Sequence, residues 1–337
     1  MAWQLREEFL KFRSFAAGAA IALASFVGQV SLAEAQATKT FRFGMQGTIG
    51  DPQYEGVMRA AQTLEQASGG RLKIEVFPNS QLGNFTEMMQ QVTAGKLDFT
   101  LNPFGGMDPW VSRAVVASTA YVVHDFDHLQ KIIASDWGQG VLTEMREKHK
   151  WRTLDSWYFG TRHTTAKKPL ATPADFKGLK LRVPNSKPLL TWARAMGASP
   201  TPVAFAEVYL ALQTNQVDGQ ENPLPIIDAM KFAEVQSHIS LTGHLVQDQL
   251  VLMSEDTWSG LSEADRKLVA DAIKEGGRHN NEIVRKREEE LISAFKQRGL
   301  TIVEANKDAF RAAMEPVYVD LDKSFGEGTV KKLTELR

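Results

Sequence analysis

The sequence has no cysteine, which excludes disulfides, thiol nucleophiles and cysteine-ligated metal. A chain of 337 residues can bury enough apolar surface to fold without covalent cross-links. An excess of either charge is also lacking: 39 Lys and Arg stand against 40 Asp and Glu, a formal net charge of -1. Without a basic field there is no indication of nucleic acid, and without an acidic tract none of cation scavenging. Any charge on a ligand must therefore be met locally. No G-x-x-x-x-G-K-S/T phosphate loop occurs, no nucleophile elbow surrounds Ser156, Ser186 or Ser254, and Gly105-Gly106 makes no dinucleotide fingerprint. Glu221 and Asp228 could do acid–base work in principle, but nothing in the sequence separates them from structural charges.

What is present begins with the N-terminus. Arg6, Lys11 and Arg13 precede an apolar, small-residue run from Phe15 to Val30 and then SLAEAQA. That order predicts a secretory signal peptide over residues 1–35, with cleavage after Ala35 or Ala37; a retained anchor helix is the competing reading. No second apolar run of membrane-spanning length follows, so the mature protein is expected to be soluble and exported.

FRFGM (Phe41 to Met45) reads as a strand, residues from about Tyr54 to Ala67 as a helix that stops at Ser68-Gly69-Gly70, and RLKIEVFP as a second strand ended by Pro78. Strand, helix, strand is the unit of an α/β sheet with crossover helices. An internal echo follows. MQQVTAGKLDF, Met89 to Phe99, matches YLALQTNQVDG, Tyr209 to Gly219, with a helix ending at Gly95 or Asn215 and then an aspartate, Asp98 or Asp218. Each copy runs into a Pro-containing polar loop, LNPFGG or QENPLP, which suggests two related lobes that each offer a loop beyond a strand end, where α/β sheets bind ligands. From Ser262 to Phe295 the composition is helical, with SEAD as its start and Gly276-Gly277 as a candidate interruption or kink.

HDFDH places His124 and His128 four apart, a spacing that on a helix can serve a metal; with no further ligand set nearby, capping of a helix start is the plainer reading and no metal site is assigned. In GLKLRVPNS, Leu179, Leu181 and Val183 share one strand face and Lys180 and Arg182 the other. Arg182 is thus either part of a solvated face or a guanidinium fixed at a strand end to grip an anion.

Arg162 in GTRHTT, then LRVPNS, GASPTP, EVYLALQ and VDGQENP, in this order and spacing, resemble the solute-binding subunits of tripartite ATP-independent periplasmic (TRAP) transporters, the DctP family, nearest the sialic-acid-binding branch. The likeness runs from FGM at Phe43 to the C-terminal helices. The resemblance implies a two-lobed α/β periplasmic binding protein fold, type II-like, with hinge strands and a long connecting helix. It implies lobe I from residues 38–157 plus about 249–286 and lobe II from 158–248 plus about 287–337. It also implies a small organic acid as ligand and TRAP membrane permease subunits as partners; a monomer that carries no cofactor and catalyses no reaction is the plain expectation.

On this reading Arg182 is the primary carboxylate ligand. Arg162 is a second cation and Asn222 an amide beside it, while Phe205 either walls the ligand or only packs in the core. The first lobe departs from the sialic-acid pattern: Gln46 replaces an asparagine, Phe85 an aspartate, and Asn102-Pro103-Phe104-Gly105-Gly106 a segment with a glutamate and an arginine. A pocket with Phe85, Phe104 and Trp110 is expected to favour a smaller or less polar acid than sialic acid. An exported enzyme acting on an acidic substrate, or a ligand sensor for a signalling receptor, are the alternatives.

Overall fold

The computed structural model describes residues 38–336; the signal-peptide segment lies outside them. Strand β1 (Lys39–Gly44) leads through Asp51 to helix α1 (Pro52–Ala67). The Asp51 carboxylate caps α1 by accepting from Tyr54 N and Thr48 N, both at 2.7 Å. Strand β2 (Leu72–Phe77) pairs in parallel with β1, and α2 (Phe85–Thr93), started by an Asn84/Glu87 capping box, leads to β3 (Phe99–Asn102). Helices α3 (Phe126–Ala134) and α4 (Asp136–His149) precede β4 (Trp151–Ala166). Then come β5 (Lys180–Val183), α5 (Lys187–Ala195), β6 (Ser199–Pro202), α6 (Val208–Gln213), β7 (Gly219–Pro223) and α7 (Leu224–Ala229). The long strand β8 (His238–Ser254) is followed by α8 (Glu255–Ser259) and the 35-residue α9 (Glu263–Gln297). Strand β9 (Thr301–Val303) and helices α10 (Lys307–Ala313), α11 (Glu315–Phe325) and α12 (Thr329–Thr334) end the chain. No described helix is long and apolar enough to cross a membrane.

All strands belong to one mixed sheet, ordered β2-β1-β3-β8-β4-β7-β5-β6, with β9 on β8. The two long strands, β4 and β8, run antiparallel through its middle and serve different neighbours at their two ends. β3 bonds to Leu250–Met253 of β8, whereas β7 bonds to Arg162–Ala166 of β4 and β9 to His238–Ser240 of β8. The sheet thus has a β2-β1-β3 half and a β7-β5-β6 half, joined only through β4 and β8.

Each half has its own apolar core. Phe41, Phe43 and Phe99 pack against α1, Trp157 and α9 in the first, and Met88, Val92, Phe104 and Trp151 form a second cluster beneath α3 and α4. In the other half Phe176, Trp192 and Phe310 pack edge to face, and Val208, Leu212, Phe232 and Phe295 form a fourth cluster.

The echo seen in the sequence is present in the backbone. Gly95 and Asn215 both adopt left-handed conformations, at φ 65° and 58°, just past the ends of α2 and α6. β3 and β7 follow, each parallel to a neighbouring strand of its own half, β1 and β5. Gly276-Gly277 neither interrupts nor kinks α9, which runs unbroken through them. A Cβ at Gly276 would come within 2.5 Å of the Gly56 carbonyl on α1, and one at Gly277 within 2.5 Å of Asp155 and Trp157. The pair lets α9 pack closely on α1 and β4.

Candidate functional site

A cavity of about 870 Å³ opens where the two halves of the sheet meet. Strand ends and the loops beyond them line it: Met45 to Gly47 and Asp51 after β1, Asn102, Pro103, Gly105, Gly106 and Asp108 to Trp110 at the end of β3, Arg182 and Pro184 to Ser186 at the end of β5, Pro202 to Phe205 after β6, and Asn222 on β7. Asn84 to Gln90 on α2, Arg162 on β4 and Gln247 and Gln249 on β8 complete most of the wall. All seven residues expected to contact a ligand, Arg182, Arg162, Asn222, Phe205, Gln46, Phe85 and Asn102, line this one cavity.

The alternation of β5 puts Lys180 in solvent and Arg182 inside, 2% exposed. Its Nε and Nη2 donate to the Val203 carbonyl at 3.0 and 2.7 Å, which holds the guanidinium plane. Among the described residues no carboxylate pairs with it. Burial, against the opposing field of Glu221, pushes its pKa down to about 10, so the group is desolvated yet still charged at neutral pH. A desolvated cation with donor capacity to spare is poised for an anion.

Arg162 is differently placed. Its Nε donates to Glu221 Oε2, and its Nη2 donates to Glu221 Oε1 at 2.8 Å and to the Glu221 carbonyl at 2.7 Å. Nη1 donates to Gln247 Oε1 at 2.7 Å, and Nη2 reaches Asn222 Oδ1 at 3.1 Å. Asn222 in turn donates to Gln220 Oε1 at 2.7 Å. Glu221 is the residue that sequence reasoning left unassigned. Burial alone would raise its pKa, but Arg162 and a 3.1 Å hydrogen bond from His244 Nε2 hold it below the usual carboxylate range. His244, pushed down by burial, is stacked on Trp192 at 3.8 Å, and its Nδ1 is bonded to Thr242 Oγ1 at 2.8 Å. The position of Glu221 beside Asn222 in QENP was the available signal, since successive residues of a buried strand face opposite sides. Asp228 lies apart, bonded to Arg298 at 2.7 Å, so the two carboxylates do not form an acid–base pair.

One expectation for the first-lobe wall is corrected. Phe104 is not in the cavity; it is 1% exposed and packs on Trp137, 6.0 Å between centroids, because its backbone N–H is drawn inward to Asp248 Oδ1 at 3.0 Å. Phe85 and Trp110 do line the cavity, but so do Gln53, Asn102 and Gln249, so the wall is more polar than expected. Phe205 is half-buried, with the core behind it and the cavity in front. The histidines of HDFDH stack at 4.7 Å, and their Nε2 atoms bond the carbonyls of Thr334 and Leu333 at 2.8 and 3.0 Å. They tie α3 to α12, with Asp125 as the α3 cap.

Two halves joined by a pair of shared strands, with a buried, unpaired arginine in the cleft between them, define a solute-binding protein of the two-lobed periplasmic class. The model of the bacterial extracellular solute-binding protein family 7, DctP, matches residues 43–324, and the chain belongs to that family. It is 47% identical over 304 residues to the sialic acid-binding periplasmic protein SiaP of Vibrio cholerae, covering 90% of this chain and 95% of that one. It is 30% identical over 283 residues to the 2,3-diketo-L-gulonate-binding periplasmic protein YiaO of Escherichia coli, covering 82% and 85%. Among solved structures, a TRAP periplasmic solute-binding protein from Polaromonas sp. JS666 bound to D-erythronate superposes with a TM-score of 0.83 at 30% identity, covering 89% of this chain and 99% of that chain. All three relatives are binding proteins of the periplasm, and the Polaromonas protein is one of the TRAP type.

Proposed function

We propose that the protein captures an organic acid in the periplasm, holding its carboxylate on Arg182, and passes it to TRAP permease subunits. The observation that carries the anchor is the buried Arg182 guanidinium, fixed by a carbonyl and free of any carboxylate partner among the described residues. In this reading the Arg–Glu pair of Arg162 and Glu221 acts as a rigid frame: it positions Asn222 and Gln247 at the cavity, and Arg162 adds little free charge. Phe205 supplies the apolar wall beneath the ligand, and Gln46, Phe85 and Asn102 face its far end.

Gln46 and Phe85 in the lining support a solute other than sialic acid, a point that a titration of N-acetylneuraminate against smaller sugar acids decides. Residues 1–35 act as the export signal in this reading, and the mature chain works as a monomer. Lobe I comprises 38–157 plus about 249–286, and lobe II 158–248 plus about 287–337. The register shift between Tyr158 and Gly160, opposite Asp248 and Gln247, supports those boundaries.

The test is a thermal-shift screen of refolded, ligand-free mature protein against an organic-acid library, since a ligand bound only to the native state raises the Tm. Hits are expected that vanish in Arg182→Ala, whose fold remains intact. Near-normal affinity in that variant would sink the anchor, and no response to any acid would sink the function.

A further inference from the structure

On the reading that Arg182 holds the carboxylate, the charges of the cavity restrict the rest of the solute. Among the described residues, five charged side chains line it: Arg162, Arg182, Asp51, Glu87 and Asp108. Arg162 is matched by Glu221, so Arg182 is the single cation without a carboxylate partner. The other three are all acids, and all come from the β1, α2 and β3 side, across from Arg182. A second carboxylate on the solute would therefore be desolvated against a lining with no cation to spare and three like charges, while Lys187 and Arg287 act on Asp108 and Asp51 from outside that lining.

The same side does offer neutral polar groups. Gln53, Asn102 and Gln249 each line the cavity and are each less than 5% exposed. Each also keeps one amide atom without a hydrogen-bond partner: Gln53 Oε1, Asn102 Nδ2 and Gln249 Oε1. Asn102 ends β3 opposite Leu250 of β8, so Gln249, one residue away, leaves β8 on the other face, and both side chains reach the cavity wall. Buried amide atoms are rarely left unsatisfied, and these comprise two acceptors and one donor, the complement of hydroxyl groups, which both give and take hydrogen bonds.

We propose that the solute is a monocarboxylate with a hydroxylated, uncharged body, and that the cavity rejects dicarboxylates. The anion lies on Arg182; the hydroxyls meet Asn102 and Gln249 once the cleft closes and their amides turn to the ligand.

Isothermal titration of the refolded mature protein with matched probes tests this. L-Galactonate, D-gluconate and N-acetylneuraminate are hydroxylated monocarboxylates; galactarate adds a second acid to the same body; succinate is a short dicarboxylate; hexanoate has one acid and no hydroxyl. The best hydroxylated monocarboxylate should bind at least 100-fold tighter than galactarate or succinate and at least 30-fold tighter than hexanoate. Asn102→Ala should cost that ligand at least 10-fold and narrow its lead over hexanoate, and Asp108→Asn should improve galactarate binding about 10-fold. A dicarboxylate as the tightest ligand would overturn the charge rule while leaving the Arg182 anchor standing. Hexanoate equal to the best hydroxylated acid would overturn the role given to the amides. Absence of binding by every acid, in a protein whose circular dichroism and unfolding are native-like, would remove the anchor itself and this inference with it.

Discussion

Two arginines about twenty residues apart illustrate how little a residue type decides by itself. Arg162 and Arg182 are both almost fully buried, but Arg162 spends its donors on Glu221, Gln247 and Asn222 while Arg182 has only the Val203 carbonyl. Removing one member of a buried ion pair costs about 3–5 kcal/mol because the other charge is left uncompensated. Arg162→Ala is therefore damaging through stability, whereas Arg182→Ala removes a charge that nothing in the cavity wall neutralises. The buried acid beside the cavity loop makes a sharper case. Asp248 accepts from Phe104 N and from Ser156 Oγ, and burial pushes its pKa up from 3.8 to about 6. The native state then holds that proton more readily than the unfolded chain between about pH 4 and pH 6, so this group's contribution to stability falls as pH rises through that window and stays lost above it. An asparagine there keeps an acceptor for Phe104 N and carries no charge. Asp248→Asn is expected to stabilise the protein by about 1–3 kcal/mol at pH 7.5 and by close to nothing near pH 4, read from urea unfolding at the two pH values. An equal effect at both would mean that Asp248 is not the titrating group.

Elements were legible where the chemistry is local. Ser262 caps the helix that SEAD announced, and Gly95 and Asn215 take the left-handed backbone that their types permit, whereas the helix after HDFDH is capped by Asp125 and not by its histidines. The alternation of LRVP was legible, the family motifs carried Arg162, Arg182 and Asn222, and these line one cavity with the other four candidates. What stayed hidden depended on partners distant in sequence. Glu221 looked like any surface acid until β4 and β8 brought Arg162 and His244 to it. Phe104 looked like a pocket residue until Asp248, on β8, drew its backbone inward. Gly276-Gly277 looked like a helix defect, since glycine costs a helix about 1 kcal/mol against alanine. Its reason lies in α1, whose Gly56 carbonyl would be 2.5 Å from a Cβ at Gly276. Backbone atoms cannot step aside cheaply, and overpacking costs about 1–3 kcal/mol or more. The contact should outweigh the propensity gain, so Gly276→Ala is expected to lower stability by about 1–2 kcal/mol in denaturant unfolding. A stabilised variant would show that α9 can shift off α1 at little cost.

At the scale of the molecule, one arginine is not enough. A hydrogen bond to a charged group contributes about 1.5–3 kcal/mol, and micromolar affinity needs about 8 kcal/mol. The remainder has to come from the opposite wall, which reaches the ligand only if the cleft closes. The place for that motion is the pair of strands shared by the two halves. β4 and β8 shift register between Tyr158 and Gly160, a bulge that falls between the β3-bonded and β7-bonded stretches of the ladder. Gly160 sits there at φ 126°, a backbone conformation open in practice to glycine alone, and a Cβ would stand 2.6 Å from Pro223. We therefore place the hinge at this bulge. Small-angle X-ray scattering should show a smaller radius of gyration when the protein is saturated with its best ligand. Gly160→Ala, by straining the bulge, should weaken binding at least 10-fold without touching a ligand contact and should blunt the contraction. If saturation leaves the radius of gyration unchanged, the cleft binds its solute without closing, and the affinity must come from a wall already in place around Arg182.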